Sequence, residues 1–240
     1  MHYRLVCLDA GFTLLAPRRT LTDALRIVLA DHGHEVSPRD LHRAWEVADR
    51  WFWDDYHRPE NDTWIDDERI DAHWRTYHAL MLHELGLQDL KHRVLDAILD
   101  AQYRPDSWEL YPDVLPALRE LRAAGLRLGI ISDWGSNLLP IIEGLGLDQQ
   151  LDFVLASGAE GVSKPDPAFF RLAATRAGVP PGEALMVGDS YRADVEGARS
   201  AGMAAVLLAR PEWRARRQPP PAGVQVIASL AELASIVAEG

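Results

Sequence analysis

Four short apolar runs each end in a polar or acidic residue: LVCL runs into Asp9, LGII into Ser132 and Asp133, FVLA into Ser157, and LMV into Gly188 and Asp189. One strand-end acid is most simply a turn former or a helix cap. Several in one chain ask for a chemical reason. A carboxylate at a strand tip can attack an electrophilic phosphorus or carbon and form a covalent ester, dividing one hard step into two. Asp189 and Asp194, five positions apart across a turn into a helix, can converge on a hard cation such as Mg²⁺. Lys164 can neutralise clustered carboxylates and a substrate phosphoryl group, and the Ser132 hydroxyl can donate to a phosphate oxygen. Plainer readings stand beside these: Thr13 as a turn residue, Ser132 as a strand-end cap, Asp194 as an acid favoured by a helix dipole.

The elements that must position these residues alternate in type. Tyr3 to Leu8 reads as a buried strand, followed by a helix-like stretch from Thr20 to Gly33. From Ser37 to Tyr103 there are helical patterns, opening at Ser37-Pro38 and at Asp66-Asp67-Glu68, and no convincing strand. After Tyr111-Pro112, strands are expected at Leu126–Ile131, Phe153–Ala156, Ala184–Val187, Ala205–Leu208 and Val224–Ile227. Helices are expected at Val114–Ala124, Asn137–Leu145, Pro167–Ala177 and Ala193–Ala201, with one more at the end of the chain. Apolar strands separated by single helices predict a doubly wound α/β core around a parallel sheet, which binds ligands beyond the carboxyl ends of its strands. Residues 1–19 and 104–240 are the expected core, and 20–103 an inserted all-helical cap.

Composition narrows the classes. The 240 residues carry 25 Lys and Arg against 36 Asp and Glu, a net charge of −11, which disfavours duplex nucleic acid and acidic membranes as partners. Residues 37–103 hold 15 acids against 8 bases, so −7 of that charge sits in the helical insert, together with five of the eight tryptophans. Those tryptophans suit core packing first and an aromatic pocket second. The basic, proline-rich stretch Arg214 to Pro221 reads as a solvated loop. The single cysteine, Cys7, excludes an internal disulfide or a multi-cysteine metal site, and a reducing cytoplasm is the expected compartment. The amino terminus meets an acid too early for a signal peptide, and no segment approaches the roughly 20 apolar residues of a membrane span. A monomer or homodimer is expected.

Four motifs in fixed order, DAGFT at Asp9 to Thr13, Ser132 after its strand, Lys164 in SKPDP, and GDSYRAD with Asp189 and Asp194, resemble the haloacid-dehalogenase-like hydrolase superfamily, in the branch whose helical cap follows the first strand. The resemblance covers nearly the whole chain. It implies a Rossmann-like core under a cap that closes over the site, with Asp9 as nucleophile and metal ligand. It further implies a Mg²⁺ site completed by the Gly11 main-chain carbonyl and Asp189, with Asp194 as a further ligand or as the group orienting one. Thr13, Ser132 and Lys164 would hold the phosphoryl group and the nucleophile, and the substrate would be a small phosphoester.

One position departs from that pattern. Phosphatases of the superfamily carry a second Asp two residues after the nucleophile, and here the position is Gly11. A general acid or base supplies about 10² to 10⁴ in rate, or roughly 3 to 5 kcal/mol, which must come from elsewhere. The substrate has a good leaving group, or Asp133 or a cap histidine (His57, His73, His78 or His83) acts instead. Two further enzyme variants fit a missing second Asp: a carbon–halogen hydrolase, which needs no metal, and a phosphonate-cleaving relative using a cap lysine, here Lys91. A non-enzymatic relative that binds phosphorylated ligands is the remaining alternative.

Overall fold

Leu5–Leu8 (β1) is buried along its whole length, which is why its sequence is continuously apolar rather than alternating. The computed structural model describes residues 2–58, 61–211 and 221–239, so most of the Arg214 to Pro221 loop lies outside the described residues. After β1 a short strand, β2 (Leu15–Pro17), leads into four helices: α1 (Leu21–Asp31), α2 (Pro38–Tyr56), α3 (Asp67–Glu84) and α4 (Lys91–Tyr103). Thr20, Ser37 and Asp66 cap the first three, accepting from the N–H groups of Asp23, Asp40 and Arg69. These helices surround their own apolar core, built on Leu25, Tyr77, Met81, Leu82 and Ile98.

The chain returns through β3 (Trp108–Leu110), which pairs antiparallel with β2. This ribbon ties together the two crossings between core and helical insert. It was not expected from sequence, since three residues are too few to show alternation. Then follow α5 (Val114–Ala123), β4 (Arg127–Ser132), α6 (Leu138–Gly144), β5 (Phe153–Ala156), the single turn α7 (Ser157–Glu160), α8 (Pro167–Ala177) and β6 (Ala184–Gly188). A π-helical turn over Tyr191–Glu196 runs into α9 (Gly197–Ser200), and β7 (Ala204–Leu208), β8 (Val226–Ile227) and α10 (Leu233–Glu239) complete the core.

The six-stranded sheet has the order β5-β4-β1-β6-β7-β8 and every pairing in it is parallel. Alternate residues of β1 serve opposite faces: Val6 and Leu8 join the apolar layer that includes Leu118 and Ile141, while Leu5 and Cys7 join that of Phe169 and Phe170. The doubly wound α/β expectation is met. Because the chain runs outward in both directions from β1, the loops after β1 and β6 diverge and leave a crevice at the strands' carboxyl ends. Among the described residues no helix is long and apolar enough to cross a membrane.

Candidate active site

Pairing of Leu8 with Ile130 on one side and Val187 on the other brings three strand ends to one level. Asp9 leaves β1 there, its N–H bonded to the Val187 carbonyl at 2.9 Å, with Ser132 closing β4 and Asp189 following β6. The turn after Asp9 winds tightly: the N–H groups of Leu14 and Leu15 both bond the Ala10 carbonyl, and Phe12 takes a left-handed φ of 57°. Such a conformation costs a non-glycine residue about 1 to 2 kcal/mol and is held by those bonds.

Lys164 is the hub. Its buried ammonium donates to Asp9 Oδ1 and to Asp194 Oδ1, each at 2.7 Å, and the Ser132 hydroxyl donates to the same Asp9 oxygen at 3.2 Å. Asp194, which is fully buried, also accepts the Ser190 N–H on Oδ2 at 2.8 Å. It reaches this place because the expected helix from Ala193 begins instead as a π turn. The Ser190 carbonyl accepts from both Asp194 and Val195, which widens the turn. The carboxylate then folds back over Gly188, where an added Cβ would come within 2.2 Å of it, so that glycine is required by close approach.

Asp9, Asp189 and Asp194 each offer a carboxylate oxygen within 4.8 Å of the others. Three hard oxygen donors converging at a strand-end crevice, with one lysine among them, suit a divalent cation such as Mg²⁺. Burial alone would lower the Lys164 pKa, but the carboxylates of Asp194, Asp9 and Asp133 outweigh it and hold the ammonium well above its ordinary value. Asp194 is pushed up by burial, with Lys164 pulling against that rise.

Of the remaining expected residues, Thr13 is wholly buried and its hydroxyl has no hydrogen-bond partner among the described residues. Gly11 does not have a positive φ, and a Cβ there would touch only the Trp134 ring, at 3.4 Å. Lys91 stands exposed at the first position of α4. Three histidines of the helical insert stay within it: His73 pairs with Asp55 at 3.2 Å and packs on Trp51, His78 meets Gln102, and His83 is exposed. Burial lowers the pKa of both inner histidines, that of His78 to about 4. His57 touches the core through its main-chain carbonyl, which accepts from Arg192 at 2.8 Å.

Asp133 is a different case. Its Oδ1 accepts the Lys164 N–H at 2.8 Å, and the Tyr56 hydroxyl, from the cap, approaches its Oδ2 at 3.4 Å. Burial raises its carboxyl to about 7 against the pull of Lys164. A cavity of about 290 Å³ lies beside this cluster, lined by Tyr56, Asn61 and Trp64 of the cap and by Lys164, Asp166 and Arg192 of the core. A somewhat larger cleft, about 340 Å³, lies within the cap around Val36 and Leu87 and holds none of the motif residues. Trp64 thus serves the cavity, while Trp45, Trp51 and Trp74 pack on the cap's core.

Residues 3–202 match the haloacid dehalogenase-like hydrolase family. The chain is a haloacid-dehalogenase-like hydrolase. This hydrolase is 33% identical to the human haloacid dehalogenase-like hydrolase domain-containing protein 3 over 222 residues, covering 88% of this chain and 84% of that protein. Its fold is similar to a HAD phosphatase from Thermococcus onnurineus (TM-score 0.66, 27% identity, 98% of this chain and 97% of that one). It is also similar to a 2-haloacid dehalogenase from Pseudomonas syringae (TM-score 0.65, 25% identity, 99% of each). Tyr56 escaped sequence reading, because only the tertiary fold sets this cap residue against Asp133. So did Arg210, a buried cation beyond the matched span that bonds the Thr13 carbonyl at 2.7 Å.

Proposed function

We propose that this hydrolase cleaves small phosphoesters with Mg²⁺, through an aspartyl-phosphate on Asp9, under a cap formed by residues 20–103 over a core of residues 1–19 and 104–240. The observation that carries the reading is the Lys164 ammonium bridging Asp9 and Asp194 with Asp189 alongside. Attack on phosphorus requires the nucleophile to meet a dianion, and that repulsion needs more positive charge than one lysine supplies. A divalent cation held by Asp9, Asp189 and the Gly11 carbonyl would supply the rest and polarise the phosphoryl group. Lys164 and Ser132 orient Asp9 and receive phosphoryl oxygens, while Asp194 fixes Lys164. The cap's aromatic side limits water and holds the leaving group.

A carbon–halogen hydrolase is the second reading. The glycine at position 11 and the likeness to the Pseudomonas syringae dehalogenase favour it, since halide departs without a proton. The three-carboxylate cluster counts against it, because attack on carbon needs no metal.

One assay series separates the two: phosphate release from aryl, acyl and alkyl phosphates, and halide release from short haloacids, with Mg²⁺ or with chelator. Phosphate release should vanish on chelation, and should fall about 10⁴-fold or more in Asp9→Asn, the scale of losing a covalent nucleophile. Phosphate release that survives either change overturns the mechanism, and halide release without metal installs the second reading.

A further inference from the structure

We propose that Asp133, coupled to Tyr56 of the cap, carries the proton for which position 11 supplies no carboxylate. The inference rests on the phosphoester reading above. Two residues that hold Asp9 also flank or bind Asp133. Its neighbour Ser132 donates to Asp9, and the residue whose N–H pins its Oδ1, Lys164, holds Asp9 by its ammonium. The other oxygen faces outward to the hydroxyl of Tyr56, which lines the cavity where a leaving group would sit. The half-buried carboxyl thus lies between the backbone of the lysine that holds Asp9 and a hydroxyl on the cavity wall.

The surroundings keep this carboxyl protonatable near neutrality. Tyr56 from α2 and Lys164 from the loop before α8 touch it, and the charges of Asp194 in the π turn and Asp9 after β1 act on it. Burial and the two acids outweigh the lysine and raise the carboxyl to about 7 in the metal-free protein. The rival pair in the cap, His73 with Asp55, is shut in by Trp51, Phe52 and Trp64.

In the first step an Asp9 oxygen bonds phosphorus as the bond from phosphorus to the leaving oxygen breaks. That oxygen takes the hydroxyl proton of Tyr56, which accepts that of Asp133. In the second step water bonds phosphorus and gives a proton to the Asp133 carboxylate as the bond to Asp9 breaks. Alcohol and inorganic phosphate leave, and both side chains return to their starting state.

Phosphate release with Mg²⁺ from an alkyl phosphate and from an aryl phosphate of an acidic phenol tests this in wild type, Asp133→Asn, Tyr56→Phe and Asp133→Asn/Gly11→Asp. The Asp133→Asn change should slow the alkyl ester about 10²- to 10⁴-fold and the aryl ester less than about tenfold, because only the alkyl leaving group needs the acid. Tyr56→Phe should steepen the dependence on leaving-group acidity in the same sense. A Cβ at position 11 would meet only the Trp134 ring, at 3.4 Å, and Gly11→Asp in the Asp133→Asn background should recover alkyl turnover at least about tenfold.

Equal losses on the two esters, or alkyl turnover within about twofold of wild type, overturn the inference. If Asp133→Asn does not fold, the leaving-group dependence of Tyr56→Phe decides, and an unchanged slope overturns it. Failure of the underlying reading looks different: no phosphate release by wild type, or release that survives Asp9→Asn, removes both.

Discussion

Two buried cations organise this molecule, Arg210 and Lys164, and their surroundings differ in charge balance. Arg210 donates to both oxygens of Asp113 at 3.2 and 3.0 Å and to the Thr13 carbonyl at 2.7 Å, and lies 3.7 Å over the Tyr111 ring. Asp113 in turn accepts from the Ser229 hydroxyl and the Leu230 N–H. One positive charge meets one negative charge. Lys164 instead faces Asp9 and Asp194 directly, with Asp189 grouped beside them and Asp133 on its main-chain N–H. A balanced pair of this kind is a clasp, here fastening the turn after Asp9 to the return of the chain into the core. Surplus negative charge of this kind is costly, and strongly perturbed acids gather at functional sites.

The largest effects come from removing each cation. Lys164→Met and Arg210→Met should each destabilise the metal-free protein by about 3 to 5 kcal/mol in urea unfolding, since each leaves buried carboxylates unpaired. Measured against wild type at the same saturating Mg²⁺, the Lys164→Met deficit should shrink by a good part and the Arg210→Met deficit should not change. Equal recovery in both would erase the contrast.

Next in size is metal linkage. At a hundredfold excess over its dissociation constant, Mg²⁺ should stabilise wild type and Arg210→Met alike by about 2.7 kcal/mol, and Asp189→Asn hardly at all. A full shift in Asp189→Asn would place the ion elsewhere.

A further effect is in pH, where the two regions should differ in sign. Asp133 is raised, so its contribution is complete below the unfolded carboxyl pKa and is lost as pH climbs through about 7. Burial would raise Asp113 too, but hydrogen bonds from Arg210, Ser229 and Leu230 hold it below its ordinary value. Its contribution is present above that value and is lost as pH falls through the folded pKa. Metal-free Asp133→Asn should therefore flatten the decline between pH 4 and 8, and Asp113→Asn the acid limb alone. Measured stability curves with those roles exchanged would refute the assignment.

Much of the fold was legible because its signals are local. Continuous apolar runs betray strands buried on both faces, and Thr20, Ser37 and Asp66 announce helices by capping chemistry. The β2–β3 ribbon was hidden because its partners lie far apart in sequence. The π turn at Tyr191–Glu196 was hidden because periodicity does not distinguish a widened first turn from an ordinary helix start. Within the site, Asp9, Ser132, Lys164, Asp189 and Asp194 were legible from type and order, and the structure brings them together. Thr13 shares the turn after Asp9, yet its buried hydroxyl bonds none of them.

The sequence by itself determined a parallel α/β core, a helical insert, and which strand ends carry acids, because each follows from residue type and short-range spacing. Tertiary structure alone decided that Asp133 meets Tyr56 of the cap and that Arg210 clasps Asp113. These pairs are 77 and 97 residues apart, and a contact across such separations is fixed by how layers pack, which no local pattern encodes.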